Sequence, residues 1–200
     1  MYKLKLYALK GLVSENNLTK SWQAVNLSTN RKCFIKAVSE EGDLDAVSRE
    51  KVILRSYDAQ RQIKSNYILS ATGKHRQSGT LFIEYPYLDQ SVWRKMNQKL
   101  FWKNFPQSII QICLIIDYLH IFNLVHCDLK LENFEVNADG KYPPIILIDL
   151  DFLTPSYKNP DAKIFGTPEH IAPEILENRK IVIQSDNYSF GILLLSLIHI

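Results

Sequence analysis

The sequence predicts an α+β protein in two parts: a strand-rich first part carrying one helix, then a helix-rich remainder. Three observations carry this expectation. Short β-type runs with turn residues between them fill the chain up to about residue 90. A single stretch there, Asp45 to Tyr57, has helical rather than strand periodicity. After Pro86 the apolar residues gather into long runs, of which Gln107 to Phe122 is the most continuous.

Each element follows from its residues. Leu4 and Leu6 alternate with Lys3 and Lys5, the period of a half-buried strand. Trp22–Leu27 and Lys32–Val38 are β-type runs joined by Ser28-Thr29-Asn30, which reads as a hairpin. Within 45–57, Ala46, Glu50, Ile53, Leu54 and Tyr57 fall on one helical face. Tyr67–Ser70 and Leu81–Tyr85 read as strands, parted by a polar, glycine-containing loop from Gly73 to Gly79. The run from Gln107 to Phe122 is apolar nearly all round and reads as a buried helix. Phe134–Asn137 and Ile145–Ile148 are short strands around an Asp139-Gly140 turn, followed by a polar loop, Thr154 to Thr167. A last apolar helix starts near Tyr188. No internal repeat or low-complexity stretch interrupts this order.

Composition excludes several classes. With 46% hydrophobic and 22% charged residues the chain is of ordinary globular type rather than disordered or fibrous. Its net charge of +3 is too small to point to nucleic acid or an anionic membrane, so neither partner is expected. Cys33, Cys113 and Cys127 are odd in number and lack C-x-x-C spacing, which argues against a disulfide scaffold or zinc knuckle and for a reducing, cytoplasmic setting. The N-terminal residues lack the apolar run of a secretion signal, and the run Phe190–Ile200 is too short to span a bilayer.

The chemistry concentrates in a few places. Glu50 sits on the apolar face expected for its helix, where a carboxylate needs a cationic partner, and Lys36 ends the strand just before it; alone, Glu50 reads equally as a solvated helix residue. The segment His126-Cys127-Asp128-Leu129-Lys130-Leu131-Glu132-Asn133 follows the apolar helix and packs an acid, a base and an amide together. An aspartate there can accept a hydroxyl proton, a lysine can neutralise a phosphoryl oxygen, and an asparagine can hold a divalent cation. Asp149, in Ile148-Asp149-Leu150-Asp151, adds a carboxylate suited to a metal that bridges nucleotide phosphates.

These blocks together resemble a eukaryotic-type protein kinase. Lys36 matches the lysine of the third strand and Glu50 its helical partner. Tyr118-Leu119-His120 with His126–Asn133 resembles the catalytic loop and the helix before it, and Asp149 matches the metal-binding aspartate. Gly166-Thr167-Pro168-Glu169 through Ala172-Pro173-Glu174 resembles the end of the activation segment. Asp186 through Gly191 resembles the start of the helix after it. Lys130 and Thr167 are similar to the serine/threonine-specific pattern.

The resemblance implies a two-lobed kinase-like fold, α+β, forming one domain over 1–200, with the small lobe and connection over 1–88 and a partial helical lobe over 89–200. It implies ATP in the cleft between lobes, with adenine against the Glu84–Tyr87 connection, Glu84 and Tyr85 included, and the phosphates on Lys36, held by Glu50. Mg²⁺ or Mn²⁺ would lie on Asn133 and Asp149, Asp128 would orient the hydroxyl of a protein substrate, and Lys130 would stabilise the moving phosphoryl group. Asp186 would tie its helix to the catalytic loop.

The sequence also departs from the pattern. Counting back from Lys36, the glycine positions of the phosphate-covering loop fall near Glu15, Asn17 and Thr19, so no glycine remains there. Phe34 replaces a small residue on the face of Lys36 and would narrow the adenine pocket. Asp151 replaces a glycine, and Cys127 an arginine that reads an activation-loop phosphate; Cys127 itself reads as a packed, inert thiol. Two readings of class therefore stand: an active serine/threonine kinase, or a pseudokinase acting as a binding or scaffolding module. His75 and Arg76 read as solvated turn residues, and Trp93 and Trp102 as packing residues. The helix expected at Phe190–Ile200 is the buried axis of the helical lobe in this family, covered by later helices, one of which carries the arginine partner of Glu174. The sequence thus predicts a fragment, or a chain that covers this helix by self-association or with a partner.

Overall fold

Which residues pair and which face they bury is described by a computed structural model covering residues 4–16, 18–38, 45–89, 91–137, 145–158, 164 and 166–198. The chain divides into two units: Met1–Arg61 with Ser70–Asp89, and Gln62–Leu69 with Gln90–Ile200.

The first unit is built on three strands, β1 (Tyr7–Glu15), β2 (Thr19–Asn26) and β3 (Arg31–Val38), then helix α1 (Ala46–Gln60) and a hairpin of β4 (Gly73–Gln77) and β5 (Thr80–Pro86). They form one antiparallel sheet in the order β1-β2-β3-β5-β4. The β2–β3 hairpin forms as expected, its turn fixed by Asn26 Oδ1, which accepts from Ser28 N (3.1 Å) and Thr29 N (3.2 Å). Leu4–Leu6 are not strand; the first strand begins at Tyr7. The expected Gly73–Gly79 loop is instead largely strand β4, turned at Ser78 and Gly79, both with positive φ. Its side chains are polar and half exposed, so pairing with β5 rather than apolar alternation makes it a strand.

Helix α1 starts where the sequence predicts, with Asp45 as N-cap accepting from Ser48 N at 2.9 Å. Its buried face is offset from the expected one: Arg49, Val52, Ile53, Ser56, Ala59 and Gln60 are buried, while Glu50, Leu54 and Tyr57 are only half-buried. Gln60 shows how a polar residue is accommodated on this face. Gln60 donates to Ser56 Oγ (2.9 Å) and accepts from Ala71 N (2.9 Å).

The second unit holds β6 (Trp93–Lys95), α2 (Gln98–Lys103), α3 (Phe105–Ile121), β7 (Leu124–Val125), β8 (Phe134–Asn137), β9 (Ile145–Leu147), β10 (Thr154–Pro155), β11 (Tyr157–Lys158), α4 (Pro173–Asn178), β12 (Lys180–Ile181) and α5 (Ile183–Ile198). β8 and β9 pair antiparallel as expected, with β6 on the outer edge; the Asp139-Gly140 turn lies outside the described residues. Tyr67–Ser70 is not a strand, and contributes only a parallel bridge from Ile68 to Leu147.

Helix α3 is not buried all round. Ser108, Gln111, Ile112, Ile115, Ile116 and Leu119 form one buried stripe at helical spacing. On the other side Ile110, Leu114 and Ile121 are exposed and line, with Tyr67 and Tyr118, a groove of about 570 Å³.

Helix α5 starts earlier than expected. It buries Ser185, Asp186, Ser189, Leu193 and Leu197 and leaves Leu195 and Ile198 exposed. Its far end is met by α2: Gln98 Nε2 (2.8 Å) and Trp102 Nε1 (3.2 Å) both donate to the Leu197 carbonyl. Glu174 has a partner within the chain, since Ser185 Oγ donates to its Oε1 at 2.6 Å. Among the described residues no helix is long and apolar enough to cross a membrane.

Candidate active site

The polar segment His126–Asn133 is held from below by one buried acid. Asp186, fully buried on α5, accepts from His126 N (2.8 Å), Cys127 N (3.0 Å) and His120 Nε2 (3.1 Å). The two backbone donors come from a tight bend in which Cys127 has φ +68. The Cys127 side chain drops into an apolar cluster with Val125, Ile171, Ala172, Ile175 and Ile181. Where the family has an arginine, this chain therefore has a packed thiol. Gly166 is required beside it: its φ is +116, and a Cβ there would lie 2.5 Å from the Cys127 carbonyl oxygen. Gly166→Ala is expected to lower stability by about 2 kcal/mol or more, read as a shift of the denaturation midpoint; an unchanged midpoint would show that the bend yields without cost.

Above this support four side chains converge. Asp128 Oδ1 accepts from Thr167 N (2.8 Å) and Thr167 Oγ1 (2.7 Å). Its Oδ2 meets Lys130 Nζ at 2.8 Å and Asn133 Nδ2 at 3.3 Å. Lys130 Nζ also donates to Thr167 Oγ1 at 2.9 Å, so one hydroxyl lies against both the carboxylate and the ammonium. Asn133 Nδ2 donates as well to the Asp128 carbonyl (2.8 Å), which turns the donor side of the amide toward the loop. His126 Nδ1 accepts from Asp128 N (3.2 Å); its Nε2 is buried and has no hydrogen-bond partner among the described residues. His170 Nδ1 donates to the Leu129 carbonyl (2.9 Å), tying the loop to the segment after Thr167. Asp149 has φ +58, the backbone of a tight turn, at the end of β9. Asp128, Lys130 and Asn133 come together within one short loop, whereas Thr167 reaches them from 39 positions away; His120 and His170 are marked as supports only by their contacts.

In the first unit, the register Phe34↔Tyr85 and Lys36↔Ile83 places these four residues on one face of the sheet. Lys36 Nζ lies 5.7 Å from the Tyr85 ring centroid, and Phe34 stacks on Tyr87 at 5.3 Å. Glu84 pairs with Ile35, and its side chain turns to the opposite face. There it accepts from Tyr7 Oη (2.5 Å) and Asn26 Nδ2 (3.1 Å); burial first, then this hydrogen bond and the Glu84 charge, push the pKa of the Tyr7 hydroxyl upward. Burial, then Glu84, also pushes the Cys33 thiol up to about 11.

Glu50 differs from expectation. Both its carboxylate oxygens are taken by the Arg76 guanidinium, Nη1 at 3.1 Å from Oε2 and Nη2 on Oε1, rather than by Lys36. Arg76 stays exposed to solvent as expected, while β4, lying beside β5, presents its guanidinium to α1. In the β1–β2 turn Glu15 pairs with Lys20 at 2.8 Å, so its charge is compensated rather than repulsive. Asn16 Oδ1 closes that turn on Leu18 N (2.8 Å) and Thr19 N (2.7 Å); Asn17 lies outside the described residues.

A five-stranded antiparallel sheet with one helix, and a helical unit carrying an Asp-x-Lys-x-x-Asn loop tied to a Gly-Thr-Pro segment, define a protein-kinase-like α+β fold. Residues 10–199 match the family profile described as protein kinase domain, and the chain belongs to that family. It is similar to a probable serine/threonine-protein kinase of Dictyostelium discoideum, 26% identical over 92% of this chain and 45% of that protein. It is also similar to protein kinase C-like 1 of Saccharomyces cerevisiae, 24% identical over 94% of this chain and 17% of that protein. A serine/threonine-protein kinase of Caenorhabditis briggsae is 36% identical over 42% of this chain and 7% of its own length. The chain thus spans less than half the length of these relatives.

Proposed function

We propose that this chain transfers the γ-phosphoryl group of ATP to a serine or threonine hydroxyl of a protein substrate inside the cell. The observation that carries the reading is the Thr167 hydroxyl held between Asp128 and Lys130, 2.7 Å and 2.9 Å away. A carboxylate and an ammonium that converge on one hydroxyl are the pair a phosphoryl acceptor needs. Asp128 would orient the substrate hydroxyl and take its proton as the bond to phosphorus forms. Lys130 would neutralise an oxygen of the transferred group. Thr167 and Asn133 keep the carboxylate aimed, and Lys36 is assigned to the α and β phosphates.

Asn133 Oδ1 and the Asp149 carboxylate are hard oxygen donors, which suits Mg²⁺ or Mn²⁺ shared with nucleotide phosphates. Bound there, the ion would supply charge neutralisation for those phosphates. The second reading, a pseudokinase that binds or scaffolds without turnover, is favoured by the glycine-free β1–β2 turn closed by Asn16 and by the Phe34–Tyr87 stack.

The test combines labelled ATP and a generic basic protein substrate with thermal melting. Transfer onto the substrate supports the enzyme reading. ATP with Mg²⁺ at 100 times its Kd is expected to stabilise the chain by about 2.7 kcal/mol, seen as a higher Tm. A raised Tm without transfer would favour the binding module, and neither effect would remove nucleotide from the reading altogether.

A further inference from the structure

We infer that Phe34 and Tyr87 form an aromatic gate over the nucleotide face of β3 and β5, with Tyr87 as the positioning residue that holds the gate closed. The inference rests on the nucleotide reading proposed above. Phe34 shares its sheet face with Lys36, Ile83 and Tyr85. Its ring does not project alone: it stacks on Tyr87 with centroids 5.3 Å apart and planes 28° from parallel. Tyr87 is itself engaged by a cation, since Lys32 Nζ lies 5.2 Å from its centroid. Lys32 and Phe34 are two residues apart on one strand and therefore project to the same face. Pro86, immediately before Tyr87, has its own φ fixed by its ring. A cation, a tyrosine and a phenylalanine thus form a ladder across the face, close to Lys36. A purine base entering there has to displace Phe34 from Tyr87.

The gate makes a prediction that a simple narrow pocket does not. Tyr87 acts through Phe34, so the two substitutions should not add. In calorimetry of ATP with Mg²⁺ on the full chain, Phe34→Ala is expected to tighten Kd about tenfold and Tyr87→Ala about threefold, the scale of one aromatic pair. Tyr87→Phe, which keeps the stack, should bind as the unaltered chain does. Tyr87→Ala added to Phe34→Ala should change nothing further. Phe34→Val provides a second opening variant should the alanine form fold poorly. Weaker binding by Phe34→Ala and Phe34→Val would show that the ring is a stacking surface for the base and would overturn the gate. So would additive effects of the two substitutions. One unchanged Kd across the set would leave the nucleotide reading standing and remove the gate. No binding by the unaltered chain or by any opened variant would remove both.

Discussion

Asp128→Asn is expected to reduce phosphate transfer by about 100- to 10,000-fold, the range for loss of a positioned acid–base group. The substitution keeps the shape of the side chain but removes the charge that gathers Thr167 N, Thr167 Oγ1, Lys130 and Asn133 around it. An amide there presents an NH₂ group to a site that already holds four donors and so turns one contact repulsive. The measurement is the initial rate of labelled phosphate incorporation into a basic protein, with circular dichroism to check that the fold survives. Transfer at the unaltered rate would mean that the activity resides elsewhere, and the role proposed for Asp128 would be withdrawn.

The largest stability effect is expected at Asp186. Asp186→Ala leaves the buried N–H groups of His126 and Cys127 without their acceptor and removes the partner of His120. Each orphaned buried donor costs about 1–3 kcal/mol, so a loss of about 3–5 kcal/mol is expected, a large share of the stability of a domain. Urea unfolding with a fixed slope reads it directly. Asp186→Asn retains one acceptor oxygen and should fall between the two. A change under about 1 kcal/mol for the alanine form would show that water or a shifted loop satisfies the two donors, and that Asp186 is not what holds the bend.

Much of the site was legible because its residues are close in the chain. His126 to Asn133 spans eight positions, and a turn that short forces an acid, a base and an amide together whatever surrounds it. The β2–β3 hairpin, the start of α1 and the presence of α3 are local in the same sense: a few neighbouring residues decide them. The strand β4 was not legible, because its polar residues carry no apolar alternation and become strand only by lying against β5. The buried face of α1 was misplaced for a related reason. Arg49, Ser56 and Gln60 are polar by composition, and for Gln60 it is Ala71 and Tyr85, outside the helix, that make burial tolerable.

The sequence by itself determined the two-part α+β class, the kinase family and the cluster of Asp128, Lys130 and Asn133, since each rests on residue types and periodicity at short spacing. Tertiary structure alone decided who partners whom across long separations. It gave Glu50 to Arg76, 26 positions away, and turned Glu84 to Tyr7, 77 positions away. It also brought Thr167 onto Asp128 across 39 positions and set Tyr87 against Phe34. The physical reason is the range of the forces. Periodicity and turn chemistry act over a few residues, whereas a carboxylate in a fold takes whichever cation or hydroxyl the strand register and helix packing bring within about 3 Å.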